Sequence, residues 1–237
     1  MTRRRWIADE SSGDRAALIG AHAEHLARVL RARVGQQFDV AVNGVVRRGT
    51  VSKIEDQRVE FTLGEELSVV PVANLTLALS IFKFDRMEWA IEKCTELGVG
   101  RFIPLVAQRT ATHLATAAEK RVERWRRIAQ QASEQSRRVA PPEVSAPLRL
   151  QQILDTTADL RIVLSEIEGS VSLKDAMDAY APGQGITLAF GPEGGWTQQE
   201  LDALQKAGWK SASLGRTILR AETAAIAATA VVVAEAQ

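Results

Sequence analysis

Two glycine-rich segments hold the side chains best suited to chemistry. Phe190-Gly191-Pro192-Glu193-Gly194-Gly195 follows an apolar run and precedes Thr197-Gln-Gln-Glu200, the spacing at which a Thr and a Glu cap a helix reciprocally. Three glycines let a ligand approach backbone closely, and the ends of parallel strands are where α/β sheets hold ligands. The spacing is neither G-x-G-x-x-G nor G-x-x-x-x-G-K-[ST], so it supports neither a dinucleotide fingerprint nor a P-loop, and a purely structural turn is the other reading. The second segment, Ser213 to Thr223, breaks at Gly215, offers Ile218 and Leu219 as apolar surface, and sets Arg220 and Glu222 into a nonpolar stretch. These charges are either a pair at a helix N-terminus, with Glu222 favoured by the dipole, or groups beside a ligand.

Other reactive side chains read as packing. A helix over 86–97, opened by Asp85-Arg-Met-Glu88 at capping-box spacing, puts Met87, Ala90, Ile91, Cys94 and Leu97 on one stripe, which makes Cys94 a core residue rather than a nucleophile. A single cysteine excludes an internal disulfide, and three scattered histidines form no zinc pattern, so no metal is expected. His22 and His25 lie three apart on a short helix, but no Asp or Cys completes a metal site in the sequence.

The elements that must position these groups fall into two rhythms. The first 73 residues read as a small barrel or curled sheet with one helix. That helix covers 21–31, with Leu26, Val29 and Leu30 inward and Gly35 as its breaker. Phe38 to Val42, a turn at Asn43-Gly44, Val45 to Ile54 and Arg58 to Leu63 are β-branched runs between turn residues. From Leu75 strand and helix alternate: strands at 75–82, 102–106, 160–164, 186–190 and 211–214; helices at 86–97, 118–139, 172–180, 198–207 and 222–236. This predicts an α/β domain with a mainly parallel sheet, joined through a linker at Pro71 to Asn74. The last helix is apolar or small on every side, so it must be buried in the core or partly against another subunit.

Composition agrees with a folded chain. Its 237 residues, 46% hydrophobic and 25% charged, exclude a wholly disordered or collagen-like protein and suit one large domain or two smaller ones. The net charge of +1 conceals an uneven distribution. Residues 1–73 carry 11 basic and 10 acidic side chains, 74–150 carry 13 and 8, and 151–237 carry 6 and 11. The middle is therefore the part that attracts a polyanion. On the helix at 118–139, Val122, Trp125, Ala129 and Ala132 share a stripe, while Arg124, Arg126, Arg127, Arg137 and Arg138 cover the rest. That basic face is either simply solvated or in contact with phosphate. The basic start lacks the apolar run of a secretory signal, and no apolar run reaches membrane-spanning length; the expectation is a soluble, cytoplasmic protein without membrane contact.

Taken together, Lys83-Phe-Asp-Arg-Met87, Lys93-Cys-Thr-Glu-Leu-Gly-Val99, Pro104 with Arg109, Glu134-Gln-Ser136 with Arg138, Gly191-Pro-Glu-Gly-Gly195 and Leu214-Gly-Arg-Thr-Ile-Leu-Arg-Ala-Glu-Thr-Ala224 form a recognisable order. The chain resembles, over nearly its whole length, the RsmE-type family of SPOUT methyltransferases, which methylate N3 of a uridine in 16S ribosomal RNA of the small subunit. The resemblance implies a PUA-like RNA-binding β-barrel domain at 1–73 and a SPOUT α/β methyltransferase domain at 74–237 tied in a deep trefoil knot. It also implies a homodimer and S-adenosylmethionine as cofactor.

By the same resemblance the cofactor loops are Leu164, Ser165 and Glu166; Phe190, Gly191, Pro192, Glu193, Gly194 and Gly195; and Leu214 and Gly215 with Ile218, Leu219 and Arg220. RNA contact falls to His25, Arg28 and Arg31 in the segment that looks like the PUA-like domain, to Arg124, Arg126 and Arg127, and to Arg138. The family often has glycine where Arg137 stands and glutamate where Gln108 stands, departures on the RNA side rather than in the cofactor loops. Methylating uridine N3 requires an extruded base, removal of its proton and stabilisation of the anion. Arg138, reaching across the dimer, is the first candidate for that catalytic work, with Arg220 and Glu222 next.

Overall fold

Asn43 and Gly44 both take positive φ, 50° and 83°, the conformation a two-residue hairpin turn demands. They join β4 (Gln37–Val42) to β5 (Val45–Glu55), which pairs in turn with β6 (Arg58–Leu67). β1 (Arg5–Ile7), β2 (Glu10–Ser12) and β3 (Arg15–Ile19), short runs without a clear alternating pattern, complete a six-stranded sheet in the order β1-β4-β5-β6-β3-β2. The computed structural model describes residues 5–68 and 74–236, so the expected linker at 71–74 lies outside the described residues except for Asn74.

The chain divides into two units. The first takes Met1–Pro71 and Ser133–Pro141, the second Val72–Ala132 and Pro142–Gln237. Segment 133–141 thus groups with residues far from it in sequence, which no linear boundary at 73 expresses. Polar contacts of the segment with the rest of that unit include Glu134 Oε1 3.1 Å from His22 Nε2 and a hydrogen bond from Arg5 to the Arg137 carbonyl.

Trp6, Leu18, Leu26, Val40, Val51, Val59 and Phe61 form the core of the first unit. The helix expected over 21–31 is cut short. α1 covers Ala21–Glu24 and passes into a π-helical turn at His25–Val29, and Arg31, at φ 52°, ends the run well before Gly35. The wider turn rotates the side chains that follow, so Leu26 is buried while Val29 and Leu30 are exposed.

In the second unit every strand pair is parallel. β7 (Asn74–Ser80), β8 (Arg101–Val106), β9 (Glu143–Val144), β10 (Leu148–Arg149), β11 (Leu160–Leu164), β12 (Gly185–Phe190) and β13 (Lys210–Ala212) make a seven-stranded sheet in the order β10-β8-β7-β12-β11-β13, with β9 beside β8. Side chains alternate between its faces. Leu75, Leu77, Leu79, Ile162, Ile186 and Leu188 join a core with α2 (Phe84–Glu96), α4 (Val122–Gln135), α6 (Leu173–Met177) and α8 (Ala221–Glu235). Ala78, Ile103, Leu105, Val163 and Ala189 meet α5 (Leu150–Ile153) and α7 (Gln198–Lys206) on the other face. Apolar runs with no polar face are what a sheet covered on both sides requires.

Two expectations need correction, and a third is narrowed. The helix at 118–139 is α3 (Thr112–Ala118), a 3₁₀ turn at Glu119–Arg121 and α4, stopped by Arg137 at φ 60°, although Val122, Trp125, Ala129 and Ala132 are buried as a stripe. The Asp85-to-Glu88 spacing forms no capping box. Lys83 occupies the N-cap without a side-chain bond, and Glu88 instead accepts from Arg124 Nε at 2.6 Å and Nη2 at 2.7 Å. For α8 core burial alone does not hold within this chain, and the expected alternative of partial cover by another subunit stays open: Ala225, Ala228, Thr229 and Val232 are covered, whereas Thr223, Ala230 and Ala234 are exposed.

Candidate active site

The strand order reverses between β7 and β12: the chain steps from β7 outward to β8, and later places β12, β11 and β13 on the opposite side. Such a reversal leaves a crevice beyond the carboxyl ends of the strands, where open α/β sheets hold ligands. A cleft of about 380 Å³ lies there, the size of a small-molecule site. Leu164, Phe190 and Leu219 give it apolar surface, and Arg86, Glu166, Glu193, Arg216 and Arg220 give it charge.

Three loops build it, one after each of β11, β12 and β13. Those after β11 and β13 are laced together: Ser165 N donates to Ala212 O at 3.0 Å, Ser213 N to Val171 O at 2.9 Å, and Leu173 N to Ser213 O at 2.8 Å. Trp196 ties in the third. Its buried indole N–H donates to Leu164 O at 3.0 Å, and a Cβ on Gly191 would stand 3.2 Å from its ring. A side chain there would press on the indole and require it to shift by a few tenths of an ångström, which glycine avoids. At Gly195 the constraint is the backbone, because φ is 68°; a Cβ would also come 2.7 Å from Glu166 Oε1, the end of an exposed side chain that can swing aside.

The helix that follows is anchored as its sequence pattern predicts. Thr197 Oγ1 accepts from Glu200 N at 3.3 Å, and Glu200 Oε2 accepts from Thr197 N at 2.9 Å. Buried Glu200 also accepts from Gln108 N at 2.7 Å through Oε1. Arg109, next in the loop after β8, donates from Nη1 to Gly194 O at 2.7 Å. The β12 loop is therefore held from both sides before any ligand enters.

Of the residues expected at the cofactor, Leu164, Ser165, Glu166, Phe190, Gly191, Pro192, Glu193, Gly195, Leu214, Gly215, Ile218, Leu219 and Arg220 line the cleft. Gly194 does not. Its carbonyl is turned to Arg109, and a Cβ there would make ordinary contacts of 3.5 Å with the Arg109 side chain. No Arg220–Glu222 ion pair forms among the described residues. Arg220 is exposed at the N-cap of α8, while Glu222, 4% exposed, has Oε1 3.6 Å from Arg86 Nη1 and no partner for Oε2. Arg86 and Trp196 were not singled out from sequence. Arg86 lies in Lys83-Phe-Asp-Arg-Met87, one of the segments that carry the resemblance, which was its one signal, and the glycines beside Trp196 could have signalled a close-packed ring.

Arg138 is not among the lining residues and belongs to the first unit; burial lowers its guanidinium pKa from the ordinary value. Of the residues expected at RNA, Arg124 is held by Glu88, Arg126 donates to Glu123 at 2.5 Å and to the Val144 carbonyl, and Arg127 is exposed with no ion pair among the described residues. Arg28 is paired with Glu24 and Asp56, His25 packs edge-on against Trp6 with ring centroids 5.8 Å apart, and Arg31 is exposed. Cys94 is buried against Thr229, and burial pushes its thiol up to about 12, which suits packing and not nucleophilic attack.

Residues 70–233 match the RNA methyltransferase domain family. The ribosomal RNA small subunit methyltransferase E of Synechocystis is 34% identical over 216 residues, 87% of this chain and 69% of that protein. The solved structure of the same enzyme from Neisseria gonorrhoeae, bound to S-adenosylmethionine, superposes with a TM-score of 0.82 at 28% identity, covering 97% of this chain and 96% of that one. A methyltransferase from Legionella pneumophila, also solved with that cofactor, gives 0.84 at 26% identity over 99% and 98% of the two chains. A parallel sheet whose loops converge on one cleft, with these matches along nearly its full length, places the chain in the RNA methyltransferase domain family, among the ribosomal RNA small subunit methyltransferases E.

Proposed function

We propose that this protein transfers a methyl group from S-adenosylmethionine to N3 of a uridine in the 16S RNA of the small ribosomal subunit. The observation that carries the reading is the convergence of three laced loops, with glycines at Gly191 and Gly195, on one cleft at the strand-order reversal. The residues fit the cofactor. Apolar Leu164, Phe190 and Leu219 suit an adenine, backbone groups of the loops suit its polar edges, and Glu166 and Glu193 suit a ligand bearing ammonium and sulfonium charge. When bound, the sulfonium supplies an electrophilic methyl carbon. The chain's part is to keep that carbon and the acceptor nitrogen aligned and to exclude water.

Removing the N3 proton leaves an imide anion, for which an arginine is the natural stabiliser. Arg220 lines the cleft within this chain, while Arg138 serves if a second copy brings it there. Glu222 does not line the cleft, which makes it a supporting group rather than the first proton acceptor. The loops after β11 and β13, interleaved through Ser172 and Ser213, support the reading of a knotted chain, and the first unit's six-stranded sheet supports that of a PUA-like RNA-binding domain. The exposed side of α8 supports a homodimer. Exposed Arg127 and Arg31 are the candidates for phosphate contact that remain without a carboxylate partner among the described residues.

The test is incubation with labelled S-adenosylmethionine and small subunits that lack the modification, followed by identification of the labelled nucleoside. Label in 3-methyluridine is expected. Label in a ribose-methylated nucleoside would keep the cofactor site and overturn the acceptor.

A further inference from the structure

Three charged side chains from three separate elements meet beside the cleft, which Arg86 and Glu193 line and buried Glu222 backs. Arg86 comes from the first turn of α2, Glu193 from the loop after β12 and Glu222 from the first turn of α8. Arg86 Nη1 lies 3.5 Å from Glu193 Oε1 and 3.6 Å from Glu222 Oε1. These distances fit ion pairs, and the longer exceeds a good hydrogen bond, so the guanidinium is shared between two carboxylates and closely bound by neither.

Glu222 makes the arrangement consequential. Its side chain is 5% exposed, and its Oε2 has no partner. A carboxylate taken out of water is costly unless a cation answers it, and among the described residues Arg86 is the one cation within ion-pair distance of Glu222. Glu193 adds a second negative charge, brought to the same Arg86 Nη1 from the β12 loop. Without Arg86 the two carboxylates would face each other across the gap, and the β12 loop and the α8 start would separate. Both border the cleft, through Pro192 and Glu193 on one side and Ala221 and Ala224 on the other.

We propose that Arg86 is a positioning residue that sets the width of the cleft by bridging Glu193 of the β12 loop to Glu222 at the start of α8. This rests on the reading of the cleft as the S-adenosylmethionine site. Arg86 acts by holding two walls at a fixed separation, and its influence on methyl transfer runs through cofactor affinity.

Calorimetric titration of the full chain with S-adenosylmethionine tests the proposal, with folding of each variant checked by circular dichroism. Arg86→Met should raise Kd about tenfold or more, and Arg86→Lys, which keeps the charge, should stay within about threefold of the parent. The decisive variant is Arg86→Met combined with Glu222→Gln. If the defect comes from an unanswered buried carboxylate, neutralising it should recover most of the lost affinity, so the two changes are strongly non-additive. In turnover assays Arg86→Met should raise KM for the cofactor by a larger factor than it lowers kcat. Parental affinity in Arg86→Met, or additive losses in the double variant, would overturn the bridge. Absence of cofactor binding by the parent protein would instead overturn the reading of the cleft.

Discussion

His22 illustrates how one side chain can join distant parts of the sequence. Its Nδ1 lies 2.9 Å from Asp9 Oδ1 and its Nε2 3.1 Å from Glu134 Oε1, an arrangement satisfied on both sides when the doubly protonated ring donates to each. The Asp9 hydrogen bond is the main cause of a raised His22 pKa, aided by the charges of Glu134 and Asp9 and opposed by burial. A folded-state pKa above the unfolded value of 6.5 means that the stabilisation is complete below about pH 6.5 and is lost as pH rises through the folded value. The stability difference between the parent and His22→Gln should therefore be largest in mild acid and shrink toward alkaline pH. Urea denaturation across that range reads it, and a difference independent of pH would assign His22 a packing role alone. Within the cleft, Gly195 and Gly194 should separate cleanly. Gly195→Ala imposes left-handed backbone on a Cβ, at about 1–2 kcal/mol, and displaces Glu166, so S-adenosylmethionine affinity should fall about tenfold. Gly194→Ala should bind as the parent does, because its Cβ meets Arg109 at ordinary contact distance. Equal losses would show that the whole loop, rather than Gly195, sets the geometry.

At the scale of elements, α7 shows a local pattern recruited for long-range work. Thr197 and Glu200 close a reciprocal cap, and the same Glu200 reaches the loop after β8 through Gln108. Thr197→Ala removes one capping acceptor and should cost about 1 kcal/mol. Glu200→Ala also leaves a backbone N–H of the β8 loop without its acceptor and should cost about 1–3 kcal/mol more. Chemical denaturation of both variants checks the order; equal losses would mean that the bond to Gln108 adds nothing. The α2 start carries the opposite lesson. Asp85 and Glu88 have capping-box spacing, yet Glu88 lies beside Arg124 of α4 and takes a bidentate ion pair there. The helix begins at Phe84 with Lys83 as its N-cap, so Asp85 and Glu88 lie inside it rather than at the two capping positions, and Glu88 is left to the ion pair.

For the whole molecule, the proposed homodimer would use the side of α8 that the chain leaves exposed. Ala228 is fully buried in the chain's own core, whereas Ala227 is half-buried and Ala230 is exposed. Ala227→Glu and Ala230→Glu should therefore split a dimer while leaving the protomer folded, since a charge in a dry contact costs on the order of several kcal/mol. Ala228→Glu should damage the protomer itself. Light scattering with circular dichroism separates the outcomes, and an unchanged particle mass in Ala227→Glu would remove α8 from the interface. None of the described helices is long and apolar enough to cross a membrane.

The sequence by itself determined the parallel sheet, the glycine loops and the packed Cys94. Each rests on local information: apolar runs alternating with helical patterns, residue types at a turn, and a helical stripe. The two glycine-rich segments read from sequence do border one cleft, because their residue types already suited close backbone approach at strand ends. The shortened helix at 21–31 was not legible, since a π-helical turn leaves the residue types unchanged and only rotates Val29 and Leu30 outward. Nor was the partner of Glu222. Sequence proximity suggested Arg220, but the residue before a helix projects from the cap while one in the first turn faces inward. Arg86, more than a hundred positions away, is brought to Glu222 by the packing of α2 against α8. The assignment of 133–141 to the first unit has the same origin, in the meeting of Asp9, His22 and Glu134. Tertiary structure decided these points because ion pairing and burial depend on distances in space, which residue order alone does not encode.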